Sequence, residues 1–176
     1  MRKITSKYIL RQIFGIVMSY MYQYEITKKK NTDLYVFYKG LYMNFAKRNF
    51  LSKELLEFTQ SIIDHTKNNL EIVDKAFSKY MNSDLSQKTS IVDFTILRVG
   101  TSLILFFTPQ INPVLVINIA VEISKKYSGE NSYRFINAVL DKVYKEHYPP
   151  LFQQEEFNIE PQPSNDSPST SLNSQE

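Results

Sequence analysis

Asn112-Pro113-Val114-Leu115-Val116-Ile117-Asn118-Ile119-Ala120-Val121-Glu122-Ile123-Ser124-Lys125-Lys126-Tyr127-Ser128-Gly129 is the stretch on which the fold turns. Asn112-Pro113 is a helix start, because proline at the first helical position gives up no hydrogen bond the helix would have made. The helix then runs from Val114 to Tyr127, and Gly129 can supply a left-handed residue to end it. Upstream, residues 90–107 are apolar on most sides and read as the central, most buried helix. Downstream, Ser132 to about His147 reads as a last helix with Ile136, Val139, Leu140 and Val143 inward, stopped by Pro149-Pro150.

The N-terminal half continues in the same mode. Residues 5–27 place Ile9, Ile13, Ile16, Val17, Tyr20 and Tyr24 on one helical stripe, with Lys7 and Arg11 together on another face. Lys28-Lys29-Lys30 and Asn31-Thr32-Asp33 read as a loop, and a second helix is expected over 33–46. Ser52 can cap a further helix whose apolar stripe, from Leu55 to Phe77, reaches about residue 80. Ser83 or Asp84 can cap a short one after it. Four glycines in 176 residues are too few for a fold rich in tight turns. The expected class is therefore all-α, in a helical domain over residues 1–150. Residues 151–176 are Pro, Ser, Asn, Gln and acid with little to bury, and read as a disordered tail.

Several kinds of chemistry lack their residues. There is no cysteine, hence no disulfide, thiolate metal site or thiol nucleophile. The two histidines, His65 and His147, stand 82 residues apart and read as ordinary surface or packing residues. No glycine-rich phosphate loop follows a strand. Glu155-Glu156 sits in the tail, where nothing desolvates it. No cofactor or metal is expected, and a binding protein is the simpler reading than an enzyme. Neither the apolar run near residue 15 nor the one over 91–107 reaches the length and purity of a membrane span, and a cytoplasmic protein is expected.

Charge narrows the partner. Glu155, Glu156, Glu160, Asp166 and Glu176 lie in residues 150–176 with no Lys or Arg, which leaves 21 basic against 13 acidic side chains in residues 1–149, a net charge of +8. A basic body is compatible with an anionic partner. Two stretches could hold RNA. Arg2, Lys3, Lys7 and Arg11 surround Tyr8, and such residues neutralise phosphates and stack on unpaired bases; the same pattern also fits a solvated helix face. Asn131-Ser132-Tyr133-Arg134-Phe135 opens the last helix, where free backbone N–H groups attract phosphate; there Phe135 could equally be core and Arg134 plain surface.

The C-terminal half resembles the NusB family. Asp93-Phe94-Thr95-Ile96-Leu97-Arg98 is similar to a family pattern in which an acid precedes Ile-Leu-Arg. Val116 to Lys125 resembles its Val-Ile-Asn-Glu-Ala-Val-Glu-Leu-Ala-Lys segment, and Phe135 to Asp141 its Phe-Val-Asn-Gly-Val-Leu-Asp run. The resemblance covers about residues 90–145. Ile119, Ala138 and Leu103 depart from it, and the N-terminal basic arm is thinned, with Ser6 at an arginine position. The resemblance implies about seven helices in two packed three-helix bundles. It further implies transcription antitermination through binding of boxA-type single-stranded RNA of ribosomal RNA leaders. The implied partners are the ribosomal small-subunit protein NusE and, indirectly, the RNA polymerase antitermination complex. By position, Arg2, Lys3, Lys7 and Arg11 would form the RNA-binding arm, and Asn131, Arg134 and Phe135 the contacting tip of the last helix. Competing readings are a protein-interaction scaffold that has lost RNA binding and, given the polar tail, more remotely a module of an RNA methyltransferase.

Overall fold

The computed structural model describes residues 6–27, 53–81, 89–108 and 110–148. Among them lie six helices and no strand: α1 (Lys7–Thr27), α2 (Lys53–Asn68), α3 (Leu70–Ser78), α4 (Ile91–Phe107), α5 (Pro113–Tyr127) and α6 (Ser132–His147). The helix expected over 33–46, the caps at Ser52, Ser83 and Asp84, the two prolines after the last helix and the tail all lie outside the described residues.

Helix α4 is the axis of the fold and packs against each of the other five described helices. Twelve of its 17 residues are buried, so it has no solvent face along most of its length. Its start is fixed by Ser90, whose hydroxyl accepts the Asp93 N–H at 3.1 Å. Helix α1 packs against it as well as against α2 and α5, and turns Leu10, Ile13, Phe14, Val17, Tyr20 and Met21 inward, all fully buried. Each such side chain contributes about 1.5–3 kcal/mol when fully withdrawn from water. Asn112 caps α5 as its sequence indicates, its Oδ1 accepting the Val114 N–H at 2.8 Å.

Two local expectations need correction. The stripe read as one helix to residue 80 is broken at Asn69, whose backbone leaves the helical range at φ −120°, ψ 26°. The Asn69 amide donates to the His65 carbonyl at 2.8 Å and closes α2, while α3 starts anew behind it. At the end of α5 the turn is made by Ser128 in extended conformation, φ −108°, ψ 178°. Gly129 is not left-handed there.

One buried charge ties three helices together. The Arg98 guanidinium of α4 is 4% exposed. Its Nε and Nη2 donate to the two carboxylate oxygens of Asp74 on α3, at 2.8 and 2.7 Å, and Nη1 donates to Glu25 on α1 at 3.0 Å. Burial works against the charge, but the bonds and attraction of Asp74, then Glu25, outweigh it and hold the group above its ordinary pKa. The guanidinium also lies over the Phe94 ring, 4.7 Å from its centroid.

Candidate nucleic-acid interface

Where α1 passes the C-terminal end of α5, the surface opens into a groove of about 680 Å³. Its floor is apolar: Ile16 and Ile123 are buried there, with Met18 and Val92 half-buried beside them. Its rim is basic and aromatic. Arg11 and the exposed Tyr8 come from α1, Lys126 and the exposed Tyr127 from α5, and no Asp or Glu is among the lining residues. Among the described residues no carboxylate pairs with Arg11 or Lys126. Gly15 also lines the groove, and a Cβ added to it would meet nothing within 4 Å, so the space beside this turn of α1 is open.

The sequence accounts for this local arrangement. Helix α1 turns its apolar stripe inward, which leaves Tyr8 and Arg11 on the outer side. Lys125 and Lys126 stand in the last turn of α5, where positive charge suits the negative end of the helix. Beyond Tyr127 the basic and aromatic surface continues onto α6. The Lys125 ammonium lies 4.9 Å from the Tyr133 ring centroid, and the Arg134 guanidinium 5.7 Å from it. Arg134 Nε also donates to the Tyr133 hydroxyl at 3.0 Å. The start of α6 is tethered to the core, because the Ser132 hydroxyl donates to the buried Asp93 carboxylate at 3.0 Å.

The residues singled out from the sequence are distributed as follows. Arg2 and Lys3 lie outside the described residues. Arg11 lines the groove. Lys7 is exposed and ion-paired with Glu122 of α5, a solvated contact worth about 0–1 kcal/mol and readily exchanged. Asn131 and Arg134 are exposed at the start of α6, adjoining the groove without lining it. The N–H groups there are less open than expected, since Ser132 N donates to the Gly129 carbonyl and Arg134 N to that of Asn131. Phe135 is half-buried and packs against the hydrophobic core. Sequence reasoning passed over Lys125, Lys126 and Tyr127 and gave Tyr133, within its second stretch, no role, although Lys-Lys-Tyr followed at short range by Tyr-Arg is basic–aromatic interleaving. His65 and His147 are exposed and far from the groove's lining; His65 packs against Phe106, and His147 Nδ1 bonds the Val143 carbonyl.

Exposed tyrosine faces can each hold an unpaired base for about 1–3 kcal/mol. Cations on the same rim neutralise the phosphates between bases, and the groove falls in the size range of small-ligand sites. Fold and groove together define a small helical protein with a basic, aromatic-rimmed surface built on a rigid core. No helix among the described residues is long and apolar enough to cross a membrane.

The chain belongs to the NusB family, whose sequence profile matches residues 15–145. It is 36% identical over 97 residues to the transcription antitermination protein NusB of Thermotoga maritima, a stretch covering 55% of this chain and 68% of that protein. It is 42% identical over 91 residues to the protein of that name from Elusimicrobium minutum, covering 51% of this chain and 64% of the relative. With the Thermodesulfovibrio yellowstonii NusB the match is 31% over 147 residues, 82% of this chain and 92% of the other. Among solved structures, a T. maritima NusB superposes with a TM-score of 0.66 at 28% identity, covering 87% of this chain and 99% of that one. A complex of the antitermination factors NusB and NusE with double-stranded RNA has a chain of the same fold, with a TM-score of 0.64 at 20% identity, covering 78% of this chain and 97% of that one. The expected all-helical NusB fold is thus the fold found.

Proposed function

We propose that this chain is a transcription antitermination factor of the cytoplasm that acts by binding, without catalysis. It holds boxA-type single-stranded RNA of ribosomal RNA leaders together with the ribosomal small-subunit protein NusE, and through that pair serves the RNA polymerase antitermination complex. The observation that carries the reading is the groove between α1 and α5, which has cations and exposed rings on its rim and no carboxylate in its lining. Family membership, and the name that its relatives bear, supply the rest.

In this reading Arg11 and Lys126 neutralise phosphates, while Tyr8 and Tyr127 stack on splayed bases. Lys7 exchanges Glu122 for a phosphate. Arg2 and Lys3 extend the basic arm. Asn131 and Arg134 continue the track along α6, where Phe135 contributes its exposed edge. A gel-shift with boxA-type RNA, with and without NusE, tests the reading. A shifted RNA band that strengthens with NusE is the expected result. A chain that binds NusE and leaves the RNA unshifted is a protein scaffold instead.

A further inference from the structure

We infer that the groove between α1 and α5 reads one adenine of the bound RNA, with Gln12 as the reading residue and Gly15 as the opening through which the base reaches it. The inference rests on the RNA reading above and gives it a base preference.

Gly15 is the only glycine of α1. It stands inside the helix, where glycine is less favourable than alanine. Packing does not require it: a Cβ there would meet nothing within 4 Å, whereas one on Gly100 would run into Leu140. What the missing side chain changes is the groove, because Gly15 is part of its lining. A helical side chain leans toward the N-terminus and covers the turn before its own Cα. A side chain at position 15 would therefore lie over the turn that carries Arg11 and Gln12. With glycine, that turn stays uncovered. Ser19, one turn further on, also leaves the strip clear, since its hydroxyl folds back and donates to the Gly15 carbonyl at 2.8 Å.

Gln12 is half-buried and lines the groove. Its side-chain amide makes no hydrogen bond with any described residue, so a donor and an acceptor stand free beside the opening. Such an amide pairs with adenine through two bonds, its oxygen accepting from N6–H and its N–H donating to N7. Guanine presents two acceptors on the same edge, N7 and O6, and would set an oxygen against the amide oxygen. A pyrimidine has no N7 to complete the pair. Unpaired RNA bases expose these edges to side chains. Tyr8, one turn before Gln12 on the same face and 53% exposed, offers a ring on which the adenine or its neighbour can stack. Arg11 and Lys126 then hold the phosphates on either side.

The test compares full-length wild type, Gln12→Ala and Gly15→Leu. Each is titrated with single-stranded boxA-type RNA and with a series in which every adenine in turn is replaced by guanine or by 7-deazaadenine, which lacks the N7 acceptor. Melting temperatures are taken alongside. At one position, guanine should weaken wild-type binding about tenfold and 7-deazaadenine about threefold. Gln12→Ala should bind all three RNAs alike at that position, about tenfold more weakly than wild type binds adenine, with an unchanged salt slope. Gly15→Leu should lose the same preference without a lower melting temperature, because leucine is a good helix former and the space is open. Wild type that binds RNA and is indifferent to every adenine replacement overturns the readout and leaves the RNA reading standing. A preference that survives in Gln12→Ala overturns the role of Gln12. A preference that survives in Gly15→Leu, or a melting temperature lowered by it, overturns the role of Gly15. Wild type that binds none of the RNAs removes the RNA reading and the readout with it.

Discussion

Helices α1 and α4 each hold one arginine and one glycine, and the fold sets the two pairs in opposite surroundings. Arg98 is buried and bonded to two carboxylates; Arg11 is exposed on a groove whose lining has none. A Cβ on Gly100 would come within 2.8 Å of Leu140 Cδ1, whereas one on Gly15 would touch nothing. In α4, charge and close approach are used up in joining helices. In α1 they are left available to something that arrives from outside.

The largest expected effect lies on the α4 side. Arg98→Ala leaves Asp74 and Glu25 unpaired beside a cavity at the junction of three helices. A loss of about 3 kcal/mol in unfolding free energy is expected, read by urea denaturation. Because Asp74 and Glu25 are partly solvated, the loss belongs at the lower end of such substitutions. A loss under about 0.5 kcal/mol would place Arg98 in the same class as a surface cation.

Gly100→Ala comes next. Leu140 is fully buried and cannot swing clear, so overpacking costs about 1–3 kcal/mol. The better helix propensity of alanine returns about 1 kcal/mol, and thermal unfolding should register a small net loss. Gly15→Ala should have the opposite sign and the smallest size, a gain of about 0.5–1 kcal/mol, since only the backbone term changes. If both alanines acted in the same direction, the contrast between the two helices would fail.

Much of this architecture was legible before the fold was seen. The starts and ends of α1, α4, α5 and α6 follow from apolar periodicity and from Asn112-Pro113, because these signals are local. The break at Asn69 was hidden, because the apolar stripe runs through it and only the backbone turn reveals it. The groove was half legible. Arg11 and Tyr8 stand in one basic run, but Lys126 and Tyr127 reach them only through the packing of α1 against α5, a contact between residues more than a hundred positions apart. Phe135 shows the converse. Its position on the helical wheel was ambiguous, and packing placed it partly in the core. Arg98 was visible as part of a family-like pattern, yet only its surroundings distinguish a charge that builds the fold from one that meets a ligand.

The groove's role is tested most directly by the salt dependence of RNA binding. Wild type and the full-length double variant Arg11→Ala, Lys126→Ala are titrated with single-stranded boxA-type RNA over a range of salt concentrations, with melting temperatures taken alongside. Two lost phosphate contacts should flatten the slope of log affinity against log salt by about 1.4, at roughly 0.7 per single-strand phosphate, while the melting temperature stays put. An unchanged slope and affinity in a folded double variant would contradict the assignment of this groove to RNA.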